Sequence, residues 1–248
     1  MSRILFHAVI VLVLTLVTQI GGVAWLIALF FRRRIVAFVL TYLGLAVATF
    51  ATAPLFGRVA LTCFDHGPLQ VQSWMYCVLN RTYVAPELRD VLVDTAQDMN
   101  RRFPGTETLV LDGNFPFFDG FPLLPHLSHD DGDKVDLAFY YRDETGYVPG
   151  ATRSPIGYFA FEEGPTPCRA SWPSLRWDLA ALQPFWKPYD LEPERMRAAL
   201  QILTADPRVG KVFIEPHLTE RLNISHPKLR FQGCRAARHD DHIHFQLK

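Results

Sequence analysis

His129 and Asp136 stand seven positions apart, and His242 and His244 stand two apart at the end of the chain. Two imidazoles and one carboxylate form the donor set of a zinc ion that keeps a fourth position for water. Water in that position ionises near neutral pH, so such a trio suits hydrolysis. The local strings are Ser128-His129-Asp130-Asp131-Gly132-Asp133-Lys134-Val135-Asp136 and His239-Asp240-Asp241-His242-Ile243-His244. A long stretch of chain separates them, so only a fold can join them. In a strand, side chains two apart share a face. His242 and His244 therefore point together, while Ile243, Phe245 and Leu247 supply an apolar opposite face. Asp136 lies opposite Val135 and Leu137 in the same way. If the two strands are neighbours, Asp136 and His244 converge, with His129 entering from a loop in which Gly132 allows a tight turn. The competing reading is of core or loop histidines with no metal.

The elements that must position these residues are legible in part. Thr108 to Leu111 suggests a strand, and 134–141 alternates as one. Pro86 opens a predicted helix over 87–103, with Leu88, Val91, Leu92, Thr95 and Met99 at helical spacing. A second helix is predicted over 194–204, a short strand over 209–214, a short helix over 216–222 and a final strand over 242–247. Residues 142–188 read as long ordered loops, in which Trp172, Trp177 and Trp186 either line a cleft or simply pack. Strands and helices interleave without regular crossovers, which predicts an α+β domain around a small, largely antiparallel sheet with flanking helices.

The chain has 248 residues and balances 25 basic against 25 acidic groups, so nothing electrostatic recommends a nucleic-acid partner. Residues 4–31 and 35–57 carry no Asp, Glu, Lys or Arg. Each run exceeds the roughly 20 residues a membrane-crossing helix needs. Arg32, Arg33 and Arg34 lie between them, and three arginines in a short loop favour its cytoplasmic retention. The expectation is a two-helix transmembrane hairpin over 1–57, a connector over 58–84, and an extracytoplasmic domain over 85–248. A signal sequence is the alternative, although its apolar core usually runs only about 7–15 residues. Cys63, Cys77, Cys168 and Cys234 all follow the apolar runs, which fits an oxidising compartment. Cys63 with Cys77 and Cys168 with Cys234 is the preferred pairing, because the first closes a short local loop. Four reduced, buried thiols are the other reading.

The two motifs together resemble the zinc peptidase superfamily of D-alanyl-D-alanine dipeptidases and carboxypeptidases, lysostaphin-type enzymes and the hedgehog fold. Its pattern is His-x6-Asp followed much later by His-x-His. The wording is most similar to the penicillin-insensitive murein endopeptidases, with Ile243 where those have an aromatic residue. The resemblance is specific over some fifteen residues and loose over 109–248. It implies that His129, Asp136 and His244 bind Zn2+, that His242 stabilises or protonates the reacting centre, and that His126 is a further histidine that joins the metal site or orients a ligand, the alternative being an exposed loop histidine. The dipeptidase branch places a glutamate base where this chain has Asp241; His239 competes for that role. Arg235 and Arg238 suit a substrate carboxylate through bidentate hydrogen bonds, or serve only solubility and loop anchoring. The expectation is a membrane-anchored zinc peptidase acting on peptidoglycan at a bacterial inner membrane, its domain facing the periplasm or exterior. Two alternatives are a catalytically silent, zinc-stabilised binding module and a membrane assembly factor with structural histidines.

Overall fold

The computed structural model describes residues 3–169, 174–177 and 179–248. Helices are α1 (Arg3–Thr18), α2 (Gly21–Ala28), α3 (Arg34–Thr52), α4 (Trp74–Val78), α5 (Pro86–Arg102), α6 (Pro193–Ala205) and α7 (Pro216–Arg221). Strands are β1 (Val59–Ala60), β2 (Leu69–Val71), β3 (Tyr83–Val84), β4 (Thr108–Val110), β5 (Lys134–Ala138), β6 (Tyr141–Asp143), β7 (Gly146–Tyr147), β8 (Asp190–Leu191), β9 (Val209–Phe213), β10 (Leu229–Arg230) and β11 (His242–Leu247). The domain is α+β, as expected.

The main sheet runs β10-β9-β11-β5-β4-β2. Its three central pairings are antiparallel, whereas β10–β9 and β4–β2 at the edges are parallel. The sheet is therefore mixed, which corrects the expectation of a largely antiparallel one. The reason lies partly in 58–84: this stretch is not an irregular connector but supplies β2, which returns beside β4. The strand expected over 134–141 also divides. β5 stops at Ala138, and Tyr141 begins β6 of a separate three-stranded sheet, β7-β6-β8.

One face of the main sheet is covered by α5 and α6. Pro86 starts α5, Glu87 lies in its first turn and Arg101 with Arg102 in its last, each sign matching the helix dipole. Leu88, Val91, Leu92 and Met99 of α5 join Met196, Leu200 and Leu203 of α6 against Val135, Leu137, Ile243 and Phe245 of the sheet. This burial is what aims the alternate residues of β5 and β11 at the other face.

The first apolar run is not one span. It breaks at Gln19, whose φ of 65° ends α1, and the chain turns back as the short α2. Gly21 and Gly22 make the close return possible: a Cβ on Gly22 would lie 2.0 Å from Thr15 Oγ1 and 2.8 Å from the Val11 carbonyl oxygen. The expected two-helix hairpin is replaced by three packed helical segments. Among the described residues only Arg34–Phe56, which is α3 with one 3-10 turn, is long and apolar enough to cross a membrane. Both expected disulfides form, Cys63–Cys77 and Cys168–Cys234, leaving no free cysteine and fitting an extracytoplasmic setting.

Candidate metal centre

β11 pairs antiparallel with β5 in a register that sets His244 directly across from Asp136 and His242 across from Ala138. The two faces inferred from alternation thus meet. His244 Nδ1 lies 2.8 Å from Asp136 Oδ1 and 3.1 Å from His129 Nε2, and His129 Nε2 lies 3.3 Å from Asp136 Oδ1. His126 joins them, its Nδ1 3.2 Å from Asp136 Oδ2. His129, Asp136 and His244 are all buried. The loop that carries His129 back into β5 turns at Gly132, whose φ is 91°. A Cβ there would meet Arg58 Nε at 2.8 Å, so glycine is required both by conformation and by space.

Each of these side chains is itself held. His129 Nδ1–H donates to the Gly113 carbonyl at 2.7 Å, which turns its Nε2 lone pair towards the cluster. The Tyr158 hydroxyl donates to Asp136 Oδ2 at 2.7 Å. Asp112 Oδ2 lies 3.0 Å from His126 Nδ1, and Arg81 grips Asp112 through Nε at 2.5 Å and Nη2 at 2.8 Å. His242 Nδ1–H donates to Asp241 Oδ1 at 2.5 Å, while Asp241 Oδ2 accepts from the Phe159 amide at 2.6 Å. His242 Nε2 then faces the cluster, 3.7 Å from Asp136 Oδ1. The ring of His239 packs 4.9 Å from that of His242 and 5.5 Å from that of His244, centroid to centroid. Its backbone amide donates to Glu215, whose carboxylate is bound bidentately by Arg176 at 2.9 and 3.0 Å.

The charges are tuned against one another. Burial pushes the Asp136 carboxyl up, but His129 and His242 overcome it and hold it well below the usual carboxylate range. Burial pushes His242 down, and Asp136 with Asp241 reverses this to about 9. His244 is lowered to about 4 by burial, and His239 is pushed well below its ordinary value by burial and by the neighbouring imidazoles.

These donors suit a metal ion. Bonds of about 2.0–2.1 Å in a tetrahedron place adjacent donor atoms about 3.3 Å apart. Among His129 Nε2, His244 Nδ1 and Asp136 Oδ1 the separations of 3.1 and 3.3 Å lie close to that edge and 2.8 Å is somewhat short of it, while His126 meets the other Asp136 oxygen at 3.2 Å. One ligand atom each from His126, His129 and Asp136 lies within 4.8 Å of the other two, so the three could hold a metal ion together. The buried Nε2 of His244 has no hydrogen-bond partner among the described residues, which leaves this imidazole defined by what its Nδ1 meets.

A cavity of about 200 Å³ opens over the cluster, lined by His126, His129, Asp136, His239, His242 and His244 and rimmed by Pro125, Leu127 and Leu175. Asp241 lies behind His242 and not on the cavity wall. Arg235 is exposed and does not line the cavity. Arg238 faces another hollow, paired with Asp240 at 2.5 Å and stacked 4.0 Å over the ring of Phe161. Trp186 donates its indole N–H to the Phe159 carbonyl, Trp177 is half exposed, and Trp172 lies outside the described residues. Sequence reasoning missed Arg81, Asp112 and Tyr158. Asp112 left a faint mark, as a carboxylate directly after an apolar strand; Arg81 and Tyr158 left none, since their partners are remote in sequence. No known protein-family model matches the chain, and no curated protein sequence matches it.

Proposed function

We propose that the chain is a membrane-anchored zinc-dependent peptidase that hydrolyses peptide bonds of peptidoglycan stems or crosslinks. The observation that carries this reading is the convergence of His129, Asp136 and His244 below an open cavity, with donor separations suited to a tetrahedral ion. The similarity of the His-x6-Asp and His-x-His strings to the zinc peptidase superfamily supports the reaction class, and the outward-facing, disulfide-bonded domain supports the cell wall as substrate. His129, Asp136 and His244 would hold the ion, with His126 alongside.

Zinc, when bound there, polarises a scissile carbonyl and acidifies the attacking water. His242, held by Asp241 with its Nε2 towards the cluster, is placed to donate to the oxygen on which negative charge develops, or to the leaving amine. Both Asp241 oxygens are committed, one to His242 and one to the Phe159 amide, so Asp241 acts by positioning His242. His239 is then the group left to accept the proton, since its ring lines the cavity beside His242 and His244. Its lowered pKa keeps it unprotonated but makes it a weak base unless the bound ion and substrate change its surroundings. Arg235 and Arg238 are not on the wall of this cavity, so a role for them in substrate binding requires a substrate that extends past it.

The test is digestion of purified murein by the full chain in detergent with added zinc. New muropeptides should appear, and His244→Ala should abolish them together with stoichiometric metal. A metal-loaded protein that releases nothing favours the second reading, a zinc-stabilised binding module. The observation favouring that reading is the commitment of both Asp241 oxygens, which leaves no carboxylate base free beside the cluster among the described residues.

A further inference from the structure

The membrane helix is not separate from the domain. Arg34–Phe56 spans 23 residues, about 35 Å at 1.5 Å per residue, against about 30 Å of hydrocarbon. One side of it is nevertheless packed on the domain well below its outer end. The Tyr42 hydroxyl donates to the Val78 carbonyl of α4 at 2.5 Å, and Thr49 hydrogen-bonds the Tyr83 hydroxyl. At the same rise these anchor points lie about 12 Å and about 22 Å above Arg34. Gln19, at the break after α1, binds the Phe117 backbone twice, accepting from its amide at 2.9 Å and donating to its carbonyl at 2.6 Å. Phe117 packs in turn against the cluster built around Ile20, Ala24 and Tyr42. The other side of α3 stays apolar and open over the same height, with Leu40, Leu43 and Val47 between 56% and 69% exposed.

A helix with that open apolar side needs lipid beside it along its whole length, and whatever packs at Tyr42 and Thr49 shares their depth. The two segments that do so are chemically fit for it. Residues 67–80 and 113–118 carry no Asp, Glu, Lys or Arg. From them Trp74 (72% exposed), Phe118 (61%) and Val78 (45%) project outwards. Phe118 continues directly into the helix end through Phe56, ring centroids 5.4 Å apart. Aromatic side chains are favoured where hydrocarbon meets headgroups.

From this we infer that the globular domain is itself partly sunk into the bilayer, with α4, at the depth of Tyr42, reaching about its midplane, and with α4 and the 115–118 loop as its lipid-facing floor. The inference rests on the reading that α3 crosses a bilayer, and goes beyond simple tethering. A tethered domain would stand clear of the lipid on a connector; this one is seated in it.

The native cysteines are all closed in disulfides, so single introduced cysteines can be spin-labelled selectively. Labels at Trp74→Cys and Phe118→Cys, with Val47→Cys on α3 and Asp143→Cys on the β6–β7 hairpin as references, are placed in the full chain in phosphatidylcholine vesicles. Collisions with oxygen, which concentrates in hydrocarbon, are compared with those of a water-soluble nickel chelate. Oxygen should dominate at 74, 118 and 47, and the nickel chelate at 143. If 74 and 118 behave like 143 while 47 reports lipid, the domain stands clear and the inference is overturned, with the span intact. If 47 also reports water, the span fails and the inference with it. Val78→Cys repeats the measurement should the Phe118 variant not fold. None of these readings depends on peptidase activity.

Discussion

The Tyr158 hydroxyl reaches Asp136 Oδ2, the oxygen not engaged by His129 and His244, and so fixes the carboxylate's rotation within the candidate metal site. Losing such a support typically costs 10–100-fold in metal affinity. Tyr158→Phe should weaken zinc binding by about that factor, read by competition with a chelating dye; an unchanged affinity would show that Asp136 needs no such hold. Asp112 gives a second residue-scale expectation. Burial pushes its carboxyl up, but Arg81 with His126 overcomes this and holds it below the ordinary carboxylate range. A lowered folded value means that the ionised form stabilises the fold above the unfolded pKa near 4, and that this contribution is lost as pH falls through the folded value. Breaking one partner of a buried pair costs about 3–5 kcal/mol. The stability gap between wild type and Asp112→Asn should therefore be widest at neutral pH and close as the pH drops below 4. Denaturant unfolding over a pH series measures it, and a gap that does not vary with pH would leave the Arg81 pair without energetic weight.

Among the elements, the loop between His129 and β5 has least freedom. Gly132 combines a φ of 91° with a space that Arg58 closes to 2.8 Å, whereas Gly105 has a φ of 81° with nothing within 4 Å. Gly105→Ala should cost only the left-handed backbone penalty, about 1–2 kcal/mol. Gly132→Ala should cost more and also weaken metal binding, because moving Arg58 or the loop moves His129. Equal melting temperatures for the two variants would sink this account. The contrast also marks what the sequence can carry. Strand alternation in 242–247 and 134–138 needs only local pattern, so the shared face of His242 and His244 and its meeting with Asp136 were readable. The edge pairing of β2 with β4 was not, because a parallel return depends on where a proline- and glycine-bearing segment lands and not on its own periodicity. Nor was the break at Gln19, where uniform apolar composition hides a turn set by glycine contacts with Val11 and Thr15 and by a hydrogen bond to Phe117, far along the chain. Arg81, Asp112 and Tyr158 share this property: each is defined by a partner that only the fold supplies.

At the scale of the whole molecule, the helices and the histidine–aspartate cluster are close neighbours along one chain of contacts. The Asn80 side-chain Nδ2 donates to the Thr18 carbonyl at the end of α1, and the next residue, Arg81, holds Asp112, which holds His126. The cavity is rimmed by Leu127, which is 52% exposed, in the same β4–β5 connection that carries the lipid-facing Phe118. On the proposed peptidase reading, a cluster so near the bilayer would work best on bonds presented there. Confinement to one surface raises the effective concentration of a tethered substrate without any new contact, provided the geometry allows both to be engaged. If the peptidase reading holds, the zinc-loaded full chain in vesicles should cleave a peptide carried on a lipid anchor in the same vesicles faster than the identical peptide free in solution, at equal total concentration. The advantage should vanish when the anchored peptide is placed in separate vesicles, since the gain comes from sharing a surface and not from the anchor itself. Equal rates for tethered and free peptide would mean that the cavity opens away from the membrane, whatever the depth of α4.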